Sequence, residues 1–126
     1  MGQSYLMYSN ILIDYLGNKI PSKGASFVDS IYPRISVISK IEVLGWHKAT
    51  KEQILRLTTS INSIFIYSLD ENIIIKTIEL RQQFRIKTPD AIIAATAIVN
   101  KLTLISRNTS DFINIPTLPI LNPWSL

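Results

Sequence analysis

The sequence predicts an α/β fold, a three-layer sandwich whose central, mainly parallel sheet has about five strands. Short β-branched runs alternate with helical segments through the 126 residues, and strands separated by helices pair in parallel through right-handed crossovers. A second observation is an uncharged segment, residues 91–99, which holds four alanines. A helix with no polar face is buried, so we expect this one at the centre of a single domain spanning residues 1–126.

The predicted strands are short and rich in β-branched and aromatic side chains. In chain order they cover residues 5–8, 35–38, 64–67 and 102–105, with 118–121 as a final edge strand that tolerates Pro119.

Capping residues predict where the helices begin. Ser9 or Asn10 is expected to cap a helix over residues 11–16 that ends at Gly17, and Asp70 is expected to cap an amphipathic helix. Thr50 and Gln53 have the spacing of a capping box at the start of a surface helix. Residues 17–30 are expected to be loop, with a short helix near 27–29.

The buried helix has its own start signal. Thr88 is the expected N-cap, Pro89 suits the first helical position because it lacks an N–H, and Asp90 then falls in the first turn. An isolated Asp at such a place commonly just complements the helix dipole, so any further role depends on what lies beside it.

Composition limits the classes of function. The chain has no cysteine and one histidine, so disulfides and thiolate or multi-histidine metal sites are excluded, and any metal must rest mainly on oxygen ligands such as Mg²⁺ prefers. No uncharged run is long enough to span a membrane and no signal pattern is present; we expect a cytoplasmic protein. The net charge of +4 is compatible with a polyanionic partner.

Three acids are expected to meet at one edge of the sheet. Glu42 follows the second predicted strand near the first turn of a helix, and Asp111 follows the fourth. Asp90 opens the helix that leads into the fourth strand, so it reaches the same edge if that helix runs antiparallel to the strand. Ligands of such sheets bind outside the carboxyl ends of the strands.

The order of four motifs resembles PIN-domain ribonucleases of the VapC toxin type. The motifs are Asn-Ile-Leu-Ile-Asp-Tyr-Leu (10–16), Ile-Ser-Val-Ile-Ser-Lys-Ile-Glu-Val-Leu-Gly (35–45), Pro-Asp-Ala-Ile-Ile-Ala-Ala-Thr-Ala (89–97), and Thr-Leu-Ile-Ser-Arg-Asn followed by Asp-Phe (103–112). The resemblance covers essentially the whole chain. It implies a Mg²⁺- or Mn²⁺-dependent endoribonuclease, a homodimer, and a small cognate antitoxin that inserts a segment near the site.

The resemblance also assigns site residues. The metal-binding and catalytic acids map onto Glu42, Asp90 and Asp111, with Ser9, Asn10 and Asn108 in support. The family's first acid, at the end of the first strand, is here Tyr8. A phenol is neutral at working pH and cannot replace a carboxylate as a hard-metal ligand without losing a proton.

The exchange of an acid for Tyr8 predicts weak metal binding and impaired cleavage. A natural loss of catalysis and an inactivating change, which needs one base change from an Asp codon, both fit the sequence. The alternative function is therefore a non-catalytic PIN-like module that binds RNA or a protein. A phospho-acceptor receiver domain does not fit, because its paired acids after the first strand are absent.

Other polar and aromatic residues have either a structural or a functional interpretation. Four basic residues flank the acidic motifs and are either a solvated rim or RNA phosphate contacts: Arg85, Lys87, Lys101 and Arg107. Asp14, one helical turn beyond Asn10, faces either the site or, as we favour, the solvent. His47 is expected to be a loop or packing residue rather than a general base. Trp46 and Trp124 are expected as core or interface anchors rather than base-stacking platforms.

Overall fold

A computed structural model describes residues 3–126, in which two helices separate each of the first four strands from the next and the fifth strand follows the fourth without a helix. The strands are β1 (Tyr5–Met7), β2 (Ile35–Ser36), β3 (Ile66–Tyr67), β4 (Thr103–Ile105) and β5 (Ile120–Leu121). The helices are α1 (Ser9–Leu16), α2 (Ser22–Ile31), α3 (Val37–Leu44), α4 (Lys51–Asn62), α5 (Glu71–Gln83) and α6 (Thr88–Val99), and a 3₁₀ turn spans Pro123–Ser125.

All strand pairs are parallel, but the sheet is smaller than the five-stranded one expected. β1, β4 and β5 form a three-stranded sheet in the order β1-β4-β5, and β2 pairs separately with β3. A single parallel bridge between Leu6 and Arg34 connects the two, with the Met7 N–H donating to the Arg34 carbonyl at 2.7 Å. The strands of two or three residues are too short to make one regular ladder.

Alternation along the strands creates the three layers. Leu6 and Leu104 point into a core formed with α5 and α6, whereas Met7 and Ile105, their neighbours in the chain, point into a second core formed with α1 to α4. Successive side chains of a strand face opposite sides of the sheet. Both faces are therefore covered, as an all-parallel sheet requires.

Helix α6 is the central helix that its composition predicts. Its residues from Ala91 to Ala97 are all buried, and it packs closely along α5. Alanines lack the bulk that would hold the two backbones apart. The start differs slightly from the prediction, because Lys87 is the N-cap and Thr88 is already helical, without a side-chain capping bond.

Several other boundaries correct the sequence-based expectations. Tyr8 is the N-cap of α1, so Ser9 and Asn10 lie inside the helix, and Glu42 lies in the second turn of α3 because that helix starts at Val37. Helix α2 occupies most of a segment expected to be loop. The capping box at Thr50 and the Asp70 cap are confirmed, each by a bond to a backbone N–H.

Candidate functional site

The carboxyl edge of the sheet gathers the residues that the motifs single out. Tyr8 follows β1 directly, and Arg107 and Asn108 follow β4 closely. Helix α6 leads into β4 from the opposite direction, so its N-terminus, with Asp90, lies at this edge. The Tyr8 hydroxyl confirms this by donating a 2.6 Å hydrogen bond to Asp90 Oδ1.

Tyr8 is half-buried between the charged groups and the core. Its ring packs edge-on against Phe112, with the ring centroids 5.7 Å apart. Burial, the hydrogen bond to Asp90, and then the negative charges of Asp90, Glu42 and Asp111 raise the pKa of the Tyr8 phenol above its ordinary value of 10.0. The phenol therefore stays protonated at neutral pH, and all three acids act on it electrostatically.

Each of the other two acids has a neutral hydrogen-bond donor of its own. The Ser9 hydroxyl donates to Glu42 Oε1 at 2.6 Å and lies 3.0 Å from the buried Ser39 hydroxyl. The Asn108 amide donates to Asp111 Oδ2 at 2.6 Å. Ser106, fully buried at the end of β4, accepts the Asn108 backbone N–H at 3.1 Å and so fixes the turn that carries this pair.

Asn10 contributes a group without a partner. Its side-chain Oδ1 is buried, and within the described residues it accepts no hydrogen bond. A buried acceptor left unpaired costs about 1–3 kcal/mol. This atom lies in the first turn of α1, next in the chain to Tyr8 and Ser9.

The arrangement does not fit a bound divalent cation as it stands. Across residues 3–126, no three acidic or histidine side chains lie close enough together to hold a metal ion. Tyr8 engages the Asp90 carboxylate with its proton, and a protonated phenol is not a hard-metal ligand. The structure thus has a neutral phenol directly after β1, where the resemblance to PIN-domain ribonucleases implies a carboxylate.

The four predicted RNA-contacting residues lie at two different edges of the sheet. Lys87, the N-cap of α6, and Arg107 are exposed near the acids, and exposed Arg85 lies two residues before Lys87. Lys101 lies beyond the C-terminus of α6, before β4 begins. It is therefore at the opposite edge of the sheet from Asp90 and apart from the candidate site.

Two site features carry no signal in the sequence. Ser39 comes beside Ser9 only because α1 packs against α3. The Arg107 guanidinium stacks on the Trp124 ring, 4.4 Å from its centroid, a contact made by the pairing of β4 with β5. Both depend on tertiary structure alone.

A cavity of about 620 Å³ lies elsewhere, at the amino edge of the sheet. Its lining includes Tyr15, Asp29, Arg34 and Phe65 and none of the candidate acids. Because it has no cluster of acids or strand-end polar groups, we place the candidate chemistry at the carboxyl edge.

Comparison with known proteins identifies the class. The PIN domain family model matches residues 9–118, which is most of the chain, and this protein belongs to the PIN domain family.

Solved structures give a consistent picture. A chain of a toxin–antitoxin complex from Klebsiella pneumoniae is 34% identical, with a TM-score of 0.77, and the match covers 95% of this chain and 98% of that one. A chain of FitAcB from Neisseria gonorrhoeae is 26% identical with a TM-score of 0.78, covering 97% and 99%. A chain of DNA-bound VapBC from Salmonella typhimurium shares the fold, with a TM-score of 0.81 at 22% identity and coverage of 97% and 99%.

Two further observations complete the comparison. A comparison with curated proteins finds no match. Within residues 3–126, each helix is too short or too polar to cross a membrane.

Proposed function

We propose that this protein is a VapC-like toxin with the scaffold of a Mg²⁺- or Mn²⁺-dependent endoribonuclease, and that Tyr8 impairs its hydrolytic site. The observation that carries the proposal is the position of Tyr8. Its hydroxyl donates a hydrogen bond to Asp90, and the negative charges of Glu42 and Asp111 help to raise its pKa. Membership of the PIN family supports nuclease chemistry, and RNA as substrate follows from the resemblance to VapC toxins.

In this proposal the three acids are the remaining ligands of an incomplete cation site. Glu42, Asp90 and Asp111 would hold the ion, and Ser9, Asn10 and Asn108 would orient the carboxylates. An Asp at position 8 would supply the missing charge and remove the phenol proton that engages Asp90. Hard cations need such oxygen-rich, negatively charged sites.

Restoring the acid tests the proposal. The Tyr8→Asp variant is expected to cleave RNA in the presence of Mn²⁺, to lose this activity in EDTA, and to be toxic when expressed alone. Asp90→Asn in the Tyr8→Asp chain should abolish cleavage and toxicity together. Tyr8→Asn is the matched control, because it removes the ring without supplying a charge, and it should remain inactive.

A non-catalytic module is the second candidate, and the same hydrogen bond favours it. A carboxylate already satisfied by a phenol has no need of a cation. If Tyr8→Asp binds Mn²⁺ yet leaves both structured and single-stranded RNAs intact and the host unharmed, a PIN-like module that binds RNA or protein without cutting is the better reading.

We propose a small antitoxin and a second copy of the chain as partners. The Klebsiella pneumoniae relative comes from a toxin–antitoxin complex. Large apolar side chains are exposed on α3 and α5, among them Ile41, Ile75 and Ile78, and such surfaces commonly mark protein interfaces. Sedimentation of the purified chain should give a dimer mass, and a monomer at high micromolar concentration would refute the homodimer.

A further inference from the structure

The contact between Arg107 and Trp124 joins two parts of the chain at the rim of the candidate site. The guanidinium carbon lies 4.4 Å from the indole centroid. Arg107 is exposed, and the ion pairs found within residues 3–126 join Arg56 to Glu52 and Lys76 to Glu79. The Arg107 guanidinium therefore contacts an aromatic ring and forms no ion pair with an acid within the described residues.

A hydrogen bond and a core contact hold Trp124 in place. Its backbone N–H donates to Asn122 Oδ1 at 2.9 Å, and its half-buried ring packs against the second core. The preceding Pro123 carbonyl lies against Gly24 of α2, so closely that a Cβ at Gly24 would stand 2.3 Å from that oxygen. The indole therefore packs on the second core, and the residue before it lies against α2.

The backbone position of Arg107 is set by the pairing of β4 with β5. The Ser106 N–H donates to the Leu121 carbonyl at 3.1 Å, which brings the segments following β4 and β5 together. On its other side, Asn108 is bonded to Asp111. Arg107 therefore stands in the chain between the paired strand ends and the Asn108–Asp111 pair, with its guanidinium over the Trp124 ring.

The contact with Trp124 leaves the N–H groups of Arg107 available, because the side chain is exposed and donates no hydrogen bond within residues 3–126. An arginine donates through N–H groups in the plane of the fork, which match the two oxygens of a phosphate. A guanidinium in contact with an aromatic ring can still donate from these N–H groups to a ligand in the solvent. Because the side chain is already held, a ligand would lose less rotamer entropy on binding it.

We propose that Arg107 contacts a backbone phosphate of bound RNA and that Trp124 is the positioning residue that holds its guanidinium beside the site. The inference rests on the proposed function, since it takes RNA as the ligand. It assigns to Trp124 a role beyond the packing or interface anchor that the sequence alone favours.

The experiment measures binding of a fluorescein-labelled single-stranded RNA by anisotropy, in EDTA and over a series of salt concentrations, with the full chain. Arg107→Ala should weaken binding severalfold and reduce the slope of log affinity against log salt by about 0.7, as expected for one lost phosphate contact to a single strand. Arg107→Lys should keep most of the slope but lose affinity, because an ammonium lacks the planar fork. Arg56→Ala, an exposed arginine on α4, is the control and should change neither.

A double-mutant cycle separates positioning from packing. Trp124→Leu should weaken RNA binding in the unaltered chain but not in the Arg107→Ala chain, and Trp124→Phe should retain binding because a ring remains. An equal loss in both backgrounds, or a lower melting temperature with unchanged affinity, would show a merely structural role and overturn the inference.

The two proposals fail differently. RNA binding that does not depend on Arg107 overturns this inference and leaves the proposed function standing. RNA binding absent from both the unaltered chain and the Tyr8→Asp variant overturns the RNA-directed function, and this inference with it.

Discussion

The hydrogen bond from the Tyr8 hydroxyl joins the Asp90 carboxylate to a neutral donor. At 2.6 Å it is short, as bonds to charged acceptors are. An acid at position 8 would add a charge beside Asp90, and carboxylates that lie close together repel one another until a cation binds. In our proposal the neutral phenol therefore both leaves the cation site incomplete and stabilises the metal-free fold.

A second tyrosine permits a pH prediction. Tyr15 donates its hydroxyl to Asp29, and this bond, followed by burial and the charge of Asp29, raises the pKa of Tyr15 from 10.0 to about 12. The neutral phenol is the favoured form. The stability from this bond is therefore present below pH 10 and is lost as the pH rises from 10 through 12.

Absorbance titration of the tyrosines checks this. Asp29→Asn should shift one tyrosine of the folded protein to lower pH, and Tyr15→Phe should remove that same component from the curve. An Asp29→Asn titration that superimposes on that of the unaltered chain would contradict the assignment.

The site residues show what the sequence could predict at this scale. Glu42, Asp90 and Asp111 were predicted as site residues because each follows or opens an element that ends at one sheet edge, and Tyr8 was singled out because it breaks a motif at the end of a strand. Whether the three acids act as ligands remains a prediction. Ser39 and Trp124 were not found as site residues, because no local pattern connects them to residues that reach them only through packing.

Among the helices and strands, α2 shows why the prediction of a loop over residues 17–30 was wrong. Pro21 and Gly24 are common in loops, yet Pro21 is the N-cap of α2 and Gly24 lies inside that helix. The glycine serves close packing, since a Cβ there would meet the Pro123 carbonyl at 2.3 Å and Ile20 Cγ2 at 2.9 Å. A tertiary contact, invisible in the sequence, outweighs the low helix propensity of glycine.

Gly24→Ala is therefore expected to destabilise the protein by about 1–3 kcal/mol, the usual cost of overpacking, despite the higher helix propensity of alanine. Urea unfolding measures the change. Gly17→Ala is the control, because its nearest neighbour is Ile13 O at 3.2 Å in the same helix, and its effect should be smaller. Equal unfolding midpoints for the two variants would contradict this expectation. They would show that the turn at Pro123–Ser125 moves away from the added methyl at no cost in stability.

For the whole molecule, topology was more predictable than strand length. Helical crossovers separate β1 from β4 and β2 from β3, and both pairs are parallel. The connection from β4 to β5 over residues 106–119 holds no helix, and that pair is parallel as well. Parallel pairing then sends the strand ends, and hence the acids, to one edge. The division into a three-stranded and a two-stranded sheet was not predictable, because it depends on hydrogen-bond geometry around a single bridge at Arg34.

The central claim is that Tyr8 is what separates this chain from a cation-binding PIN domain. Calorimetric titration with Mn²⁺ tests it most directly, with the unaltered chain, Tyr8→Asp and Tyr8→Phe measured side by side. We expect tight, stoichiometric binding by Tyr8→Asp alone, because Tyr8→Phe removes the phenol bond to Asp90 without restoring a carboxylate. Micromolar Mn²⁺ or Mg²⁺ binding by the unaltered chain would contradict the claim.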